Sequence, residues 1–174
     1  MLVMVMATAT AQSTSAATGV PVRRRFAPGE QTREYDFEVL DISRVVRVVK
    51  GGRRFSFRVS VVVGDRNGTV GFGIGKSRDI QAAITKAYER GSKRVMHVQL
   101  HRGTVPYEVV AKSGGARVLL RPARPGTGII SGGVVRIVAE LAGLQNVVAK
   151  RLGSANKINT ARAALAALSV FSAR

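Results

Sequence analysis

Alternation is clearest between Arg54 and Val63. Phe55, Phe57, Val59, Val61 and Val63 fall on one side and Arg54, Ser56, Arg58 and Ser60 on the other, which predicts a strand with one core face and one polar face carrying two arginines. The β-branched run from Phe37 to Val49 predicts a preceding strand, and Lys50-Gly51-Gly52-Arg53 supplies the turn between them. Gly64-Asp65-Arg66-Asn67-Gly68 marks a second turn, with Asn-Gly as a hairpin signal, and Thr69 to Ile74 reads as a third strand in an antiparallel meander. The period then changes. Ile80, Ala83, Ile84, Ala87 and Tyr88 recur at helical spacing, Ser77 or Asp79 can cap the start, and Gly91 lies within or at the end. Lys86, Arg90, Lys93 and Arg94 occupy an adjoining helix face, which serves either solvation or phosphate.

A second block begins around His101-Arg102-Gly103. Val95 to Leu100, Val105 to Ala111 and Arg117 to Arg121 read as short strands, followed by a Gly/Pro-rich loop from Pro122 to Gly133. Val134 to Leu141 reads as helix with Gly143 near its end, and Asn146 to Leu152 as a further strand. Ile158 to Phe171 is an Ala/Leu-rich helix with Ile158, Ala161, Leu165 and Leu168 on one stripe. Residues 1–22 are uncharged. Their apolar start is too short to span a bilayer and lacks the basic flank of a signal peptide. A transit peptide is an alternative, although no Arg precedes Arg23; the preferred expectation is a flexible arm over residues 1–35. The cluster Arg23-Arg24-Arg25 is either a solvated tail or a phosphate contact.

Charge changes the picture most. The 174 residues hold 28 Lys and Arg against 10 Asp and Glu, a formal net charge of +18. A folded domain with this surplus repels itself unless a polyanion neutralises it, and nucleic acid is the commonest such partner, ahead of anionic membrane. Ala111 to Arg174 contains a single acid, Glu140, so the second block should touch polyanion as well as the first. Without Cys there are no disulfides and no thiolate metal sites, and His97 and His101 cannot fill a tetrahedral zinc site alone. No Trp and 5 % aromatics argue against extensive base stacking.

The candidate motifs are mostly bland. Gly71-Phe72-Gly73-Ile74-Gly75-Lys76-Ser77 fails the P-loop pattern because Val70 stands where Gly is required, and its G-x-G-x-G spacing fails the kinase loop. Lys76 and the following helix start can hold one phosphate oxygen, while the alternative is that these glycines allow tight strand-to-helix packing. The same segment matches an RNA-recognition-motif strand only weakly. The acids are scattered, and neither His has a partner at catalytic spacing, so no enzyme, cofactor, metal or small-molecule substrate is expected. Lys50-Gly51-Gly52-Arg53-Arg54 differs: it puts three cations on a hairpin tip able to enter a groove. Gly126 to Gly133 holds Ile129 and Ile130 between glycines, a loop that either packs on its own domain or docks a protein.

In series these segments resemble the bacterial-type small-subunit ribosomal protein five family. The likeness runs through Val49-Lys50-Gly51-Gly52-Arg53 with Phe55-Ser56-Phe57, Val62-Val63-Gly64-Asp65 with Asn67-Gly68, Val70-Gly71-Phe72-Gly73 with Gly75-Lys76, Gly126 to Gly133, and Gly153-Ser154 with Asn156 and Asn159. It covers Asp36 to Phe171, with Lys157 standing where many members have Pro. The resemblance implies an α+β protein of two small domains. The first, over 36–102, is like a double-stranded-RNA-binding domain, and the second, over 103–174, is an α/β domain of the family's C-terminal type. It implies a structural, non-enzymatic role in the cytoplasmic ribosome, an organellar ribosome being the less favoured setting. The partners it implies are small-subunit ribosomal RNA at the back of the body near the head junction, ribosomal proteins four and eight, and the path by which messenger RNA enters. An influence on decoding accuracy is implied too.

The expected RNA contacts are Arg44, Arg47, Lys50, Gly51, Gly52, Arg53, Arg54, Arg58, Arg66, Lys76, Arg78, Arg117, Arg121, Arg124, Lys150, Arg151, Asn156 and Lys157. Gly128, Ile129, Ile130 and Arg136 form the expected protein interface, with Gly128 and Arg136 matching the part of the family that faces protein four. The rival readings are a free-standing double-stranded-RNA-binding regulator and a nucleotide-using enzyme.

Overall fold

The computed structural model describes residues 34–172. The expected arm and Arg23-Arg24-Arg25 lie outside these residues, apart from the last two positions of the arm. The elements in chain order are β1 (Asp36–Val49), β2 (Gly52–Gly64), β3 (Thr69–Ser77), α1 (Ile80–Ser92), β4 (Val95–His97), β5 (Val109–Ser113), β6 (Ala116–Pro122), β7 (Ile129–Ile130), α2 (Gly133–Leu141), β8 (Val147–Gly153) and α3 (Lys157–Ser169).

The first sheet has the order β1-β2-β3-β4, entirely antiparallel, so the expected three-strand meander gains a short fourth strand. Helix α1 covers one face of it. Asp79 caps α1 by accepting from the Ala82 N–H at 3.0 Å. The glycines of β3 explain how closely that helix sits: a Cβ at Gly73 would overlap the carbonyl oxygen of Ala87, and one at Gly75 that of Ala83. The strand-to-helix packing reading of this segment therefore carries the observation, and the Asp79 carboxylate already occupies the helix start.

The second sheet has the order β5-β6-β8-β7, with β7 parallel to β8. Helices α2 and α3 lie on one of its faces. The same helices meet the first sheet, so one buried cluster runs through both lobes, from Leu40, Val62, Val70 and Val98 to Val118, Leu120, Val138, Leu141, Leu165 and Leu168. A smaller cluster of Val59, Val61, Val63, Ala83, Ile84 and Ala87 lies beneath α1. This corrects the expected one-sided β2. From Val59 to Gly64 both faces are buried, because α1 covers one and the second lobe covers the other. Even Ser60 is buried at 2 % exposure. For the same reason α3 buries Thr160, Ala163, Ala164 and Ala167 beside its expected stripe. The strand expected at Val105 to Ala111 forms later, at Val109–Ser113, while Val105 is buried core outside any strand. The strand expected at Val95 to Leu100 stops at His97, after which Val98 and Gln99 donate to the carbonyls of Gly68 and Phe171 and carry the chain to the second lobe.

Backbone bonds also fix the lobes together. The turn after β2 donates from Arg66 N to Leu141 O and from Gly68 N to Ala142 O, both at 3.0 Å. These donors satisfy carbonyls that the end of α2 leaves without helical partners. A side-chain bond joins the lobes elsewhere: Lys157 Nζ lies 2.7 Å from Asp41 Oδ1.

Candidate nucleic-acid interface

β1 and β2 pair from Asp36↔Gly64 to Val49↔Gly52, but β3 joins β2 only from Phe57 onward. Residues 45–56 therefore extend beyond the three-stranded body as a two-stranded ribbon, about 15 Å long at about 3.3 Å per residue. Gly51, with φ +87°, makes its tip. The ribbon and its base hold Arg44, Arg47, Lys50, Arg53, Arg54 and Arg58, and no acid lies between Ser43 and Gly64.

Register sorts these cations by face. Arg54, Ser56 and Arg58 share the face of Ser60 and Val62, on the second-lobe side. Arg47 stands opposite Arg54, and Arg58 opposite Lys76. The other face carries Arg44, Val46 and Val48 from β1 with Arg53, Phe55 and Phe57 from β2. Like charges directly opposite in a sheet are unfavourable. The fold nonetheless sets Arg47 against Arg54, Arg58 against Lys76 and, in the second sheet, Lys112 against Arg117. Sequence reasoning missed Lys112; the alternation of Val109 to Ser113 could have placed it beside Arg117.

On the second sheet α2 and α3 cover one face. The other is open and carries Lys112, Arg117 and Lys150 among Val110, Leu119 and Leu152. Arg151 pairs with Val118 and so leaves β8 on the side opposite Lys150. Arg78 and Arg124 are exposed on connections.

Several expected contacts have intramolecular partners. Arg66 Nη2 lies 3.1 Å from Asp36 Oδ2 and sits at the far end of β2 from the ribbon. Arg121 grips Glu108 with two nitrogens, at 2.7 and 3.2 Å. Asn156 caps α3 by accepting from the Ile158 N–H at 3.0 Å. Lys157 holds Asp41, which also accepts from Ser43 Oγ at 2.6 Å. The bonds from Lys157 and then Ser43 hold the Asp41 carboxyl below the ordinary carboxylate value. At Asp65 burial pushes upward, but the Asn67 N–H and the bonds from Thr69 outweigh it and the net shift is downward.

In the loop before α2, Arg136 Nη2 donates to Ile129 O at 3.3 Å and Asn146 Oδ1 accepts from Gly128 N at 3.1 Å. Ile130 is left 54 % exposed, so the structure brings Gly128, Ile129, Ile130 and Arg136 into one patch. Gly128 has φ +73°, and any larger residue there strains the backbone whatever it touches. Of the two histidines, His97 shares a hydrogen bond with Thr69 Oγ1 at 3.1 Å. Among the described residues no three His, Asp or Glu side chains gather as a metal site, and no helix is long and apolar enough to cross a membrane.

The fold is thus a two-domain α+β scaffold that crowds cations onto a ribbon and an open sheet face, as nucleic-acid-binding proteins do. Residues 35–99 match the family model for the ribosomal protein S5 N-terminal domain and residues 111–172 that for the ribosomal protein S5 C-terminal domain. The chain is 49 % identical over 135 residues to the small ribosomal subunit protein uS5 of Thermotoga neapolitana, covering 78 % of this chain and 76 % of that one. It is 50 % identical over 141 residues to the protein of the same name from Synechococcus elongatus, covering 80 % and 78 %. For that of Thermosynechococcus vestitus the identity is 48 % over 151 residues, covering 85 % and 87 %. The chain belongs to the ribosomal protein S5 family. It is a structural, non-enzymatic constituent of the small ribosomal subunit that binds ribosomal RNA among ribosomal neighbours.

Proposed function

We propose that this chain braces ribosomal RNA at the back of the small-subunit body near the head junction, in the cytoplasmic ribosome. Its ribbon reaches toward the head, steadies the head–body arrangement and so contributes to decoding accuracy. The units are the domains 36–102 and 103–174. The observation that carries this reading is the set of like-charged cross-strand pairs, Arg47–Arg54, Arg58–Lys76 and Lys112–Arg117. Each opposes folding in the free chain and becomes favourable once phosphates lie against it.

Shared core and backbone bonds between the lobes support a brace over a pair of independent binders: two cationic surfaces keep a fixed separation. They also weigh against the free-standing regulator, which needs the first lobe to act alone; cut from the second, it would expose Leu40, Val62 and Val70. The ribbon, Lys76, Arg78, Arg117, Arg124, Lys150 and Arg151 are the RNA contacts. Arg66, Arg121, Asn156 and Lys157 serve the fold first. The Gly128–Arg136 patch faces ribosomal protein four, while ribosomal protein eight and the path by which messenger RNA enters lie nearby.

The test replaces Lys50 and Arg53 by Glu. Both are exposed at the tip, so the variant should fold and still co-sediment with small subunits, yet change the misreading rate of a reporter messenger. Unchanged misreading with normal assembly would refute the head–body role. Absence of the wild-type chain from subunits at moderate salt would refute the brace itself.

A further inference from the structure

The ribbon face on the α1 side is unlike its cationic reverse. Val48 is 76 % exposed, Ile42 and Val46 are each 49 % exposed and Phe55 is 44 % exposed. They share this face with Arg44 and Arg53. The Arg44 guanidinium carbon lies 3.8 Å from the centre of the Phe55 ring. The guanidinium is thus already seated over the ring in the free protein. The ring restrains the long Arg side chain, which lowers the entropy lost when something settles on it. The surroundings settle the chemistry of the occupant. With no acid between Ser43 and Gly64, the face attracts a polyanion and repels a cationic surface. A base-paired A-form helix offers phosphates and sugars, whereas an unpaired nucleotide also offers a flat base for a guanidinium or aromatic plane.

We infer that the Arg44–Phe55 pair is a stacking platform for one unpaired RNA base, with Val46 and Val48 packed against the adjoining ribose and Arg53 on a flanking phosphate. The inference rests on the RNA-brace reading and deepens it: the second-lobe side of the ribbon is a phosphate contact, and the α1 side selects a bulged or looped nucleotide. A single platform is compatible with a chain so poor in aromatics.

The test uses the full chain with two RNA hairpins of about 16 base pairs, one fully paired and one carrying a single bulged 2-aminopurine. The variants are Phe55→Leu, which keeps an apolar side chain but removes the ring, and Arg44→Lys, which keeps the charge but removes the plane. Arg44 is exposed, so its variant remains informative if Phe55→Leu fails to fold. Wild type should bind the bulged hairpin more tightly and quench its fluorescence. Each variant should lose about 5- to 150-fold on the bulged hairpin and less than about 2-fold on the paired one, since one base–aromatic stack is worth about that ratio. Equal losses on both hairpins, or no preference in wild type, overturn the platform while leaving the RNA brace standing. Failure of wild type to bind either hairpin at low salt overturns both. Sedimentation velocity adds a separate arm: a wild-type dimer abolished by Phe55→Leu makes this face a contact between two copies and overturns the platform.

Discussion

Replacing Arg47 and Arg54 together by Gln separates function from fold on a single cross-strand pair. The two residues face each other in register and both are exposed. Removing the repulsion should leave stability unchanged or raise it, within about 0.2–1 kcal/mol for a cross-strand pair. RNA affinity should move the other way. Each phosphate contact adds about 0.9 to the slope of log affinity against log salt, so the double variant should lose about 2 from that slope. Over a rise from about 50 to about 200 mM salt each contact corresponds to about a 3.5-fold change, or about 12-fold for the pair. Filter binding to small-subunit ribosomal RNA across that range measures the slope, and urea unfolding measures stability. The structure supplies its own control: Arg121 is gripped by Glu108, so Arg121→Gln should shift the slope far less than one unit. An unchanged slope in the double variant, or a slope change as large for Arg121→Gln, would refute the division into free and internally paired cations.

Gly73→Ala should destabilise the chain by about 1–3 kcal/mol or more, because the new methyl meets the Ala87 carbonyl and neither β3 nor α1 yields easily; an unchanged urea midpoint would contradict that packing. Lys157→Met should cost about 0.2–1 kcal/mol near neutral pH, the range for a partly exposed pair. Asp41 has a lowered folded-state pKa, so its contribution is present above the ordinary value of 3.8 and is lost as pH falls through the lower folded value. Stability curves of wild type and variant should therefore converge as pH falls below the ordinary carboxylate value, and a gap that stays constant to the acid limit of the titration would contradict the assignment.

Much of the first lobe was legible because its signals are local. Alternation, Asn-Gly and the helical spacing after Asp79 each act over a few residues, and β1 to α1 lie where those signals put them. Ser60 and Val62 show where local reading stops. Their side of β2 looked polar because Arg54, Ser56 and Arg58 share it, yet the second lobe covers the last part of that face and leaves the ribbon open. No period in the chain announces a partner nearly a hundred residues away. The site divides in the same way. Clustering at Lys50 to Arg54 was visible at once, whereas the carboxylates that claim Arg66 and Lys157 come from β1, brought near by the fold. Lys112 was overlooked because its strand begins later than the β-branched run suggested.

The placement of acids explains how so basic a chain folds before it meets RNA. The sequence holds 10 Asp and Glu, and several of those among the described residues have work inside the fold. Asp36 and Glu108 hold arginines, Asp41 ties the lobes through Lys157, Asp65 closes the β2–β3 turn and Asp79 starts α1. None of these lies within the ribbon itself, and Asp41, at its base, also feels the charge of Arg58. Scattering the same acids among the surface arginines would lower self-repulsion equally well, but it would weaken phosphate contacts and leave the turn, the helix start and the lobe junction without their bonds. Negative charge thus sits where backbone or neighbouring cations need it. The ribbon and the open face of the second sheet, joined through a common core, are left rich in cations; on the proposed reading RNA supplies their counter-charge, and the repulsion in Arg47–Arg54 and Arg58–Lys76 becomes part of the drive to bind.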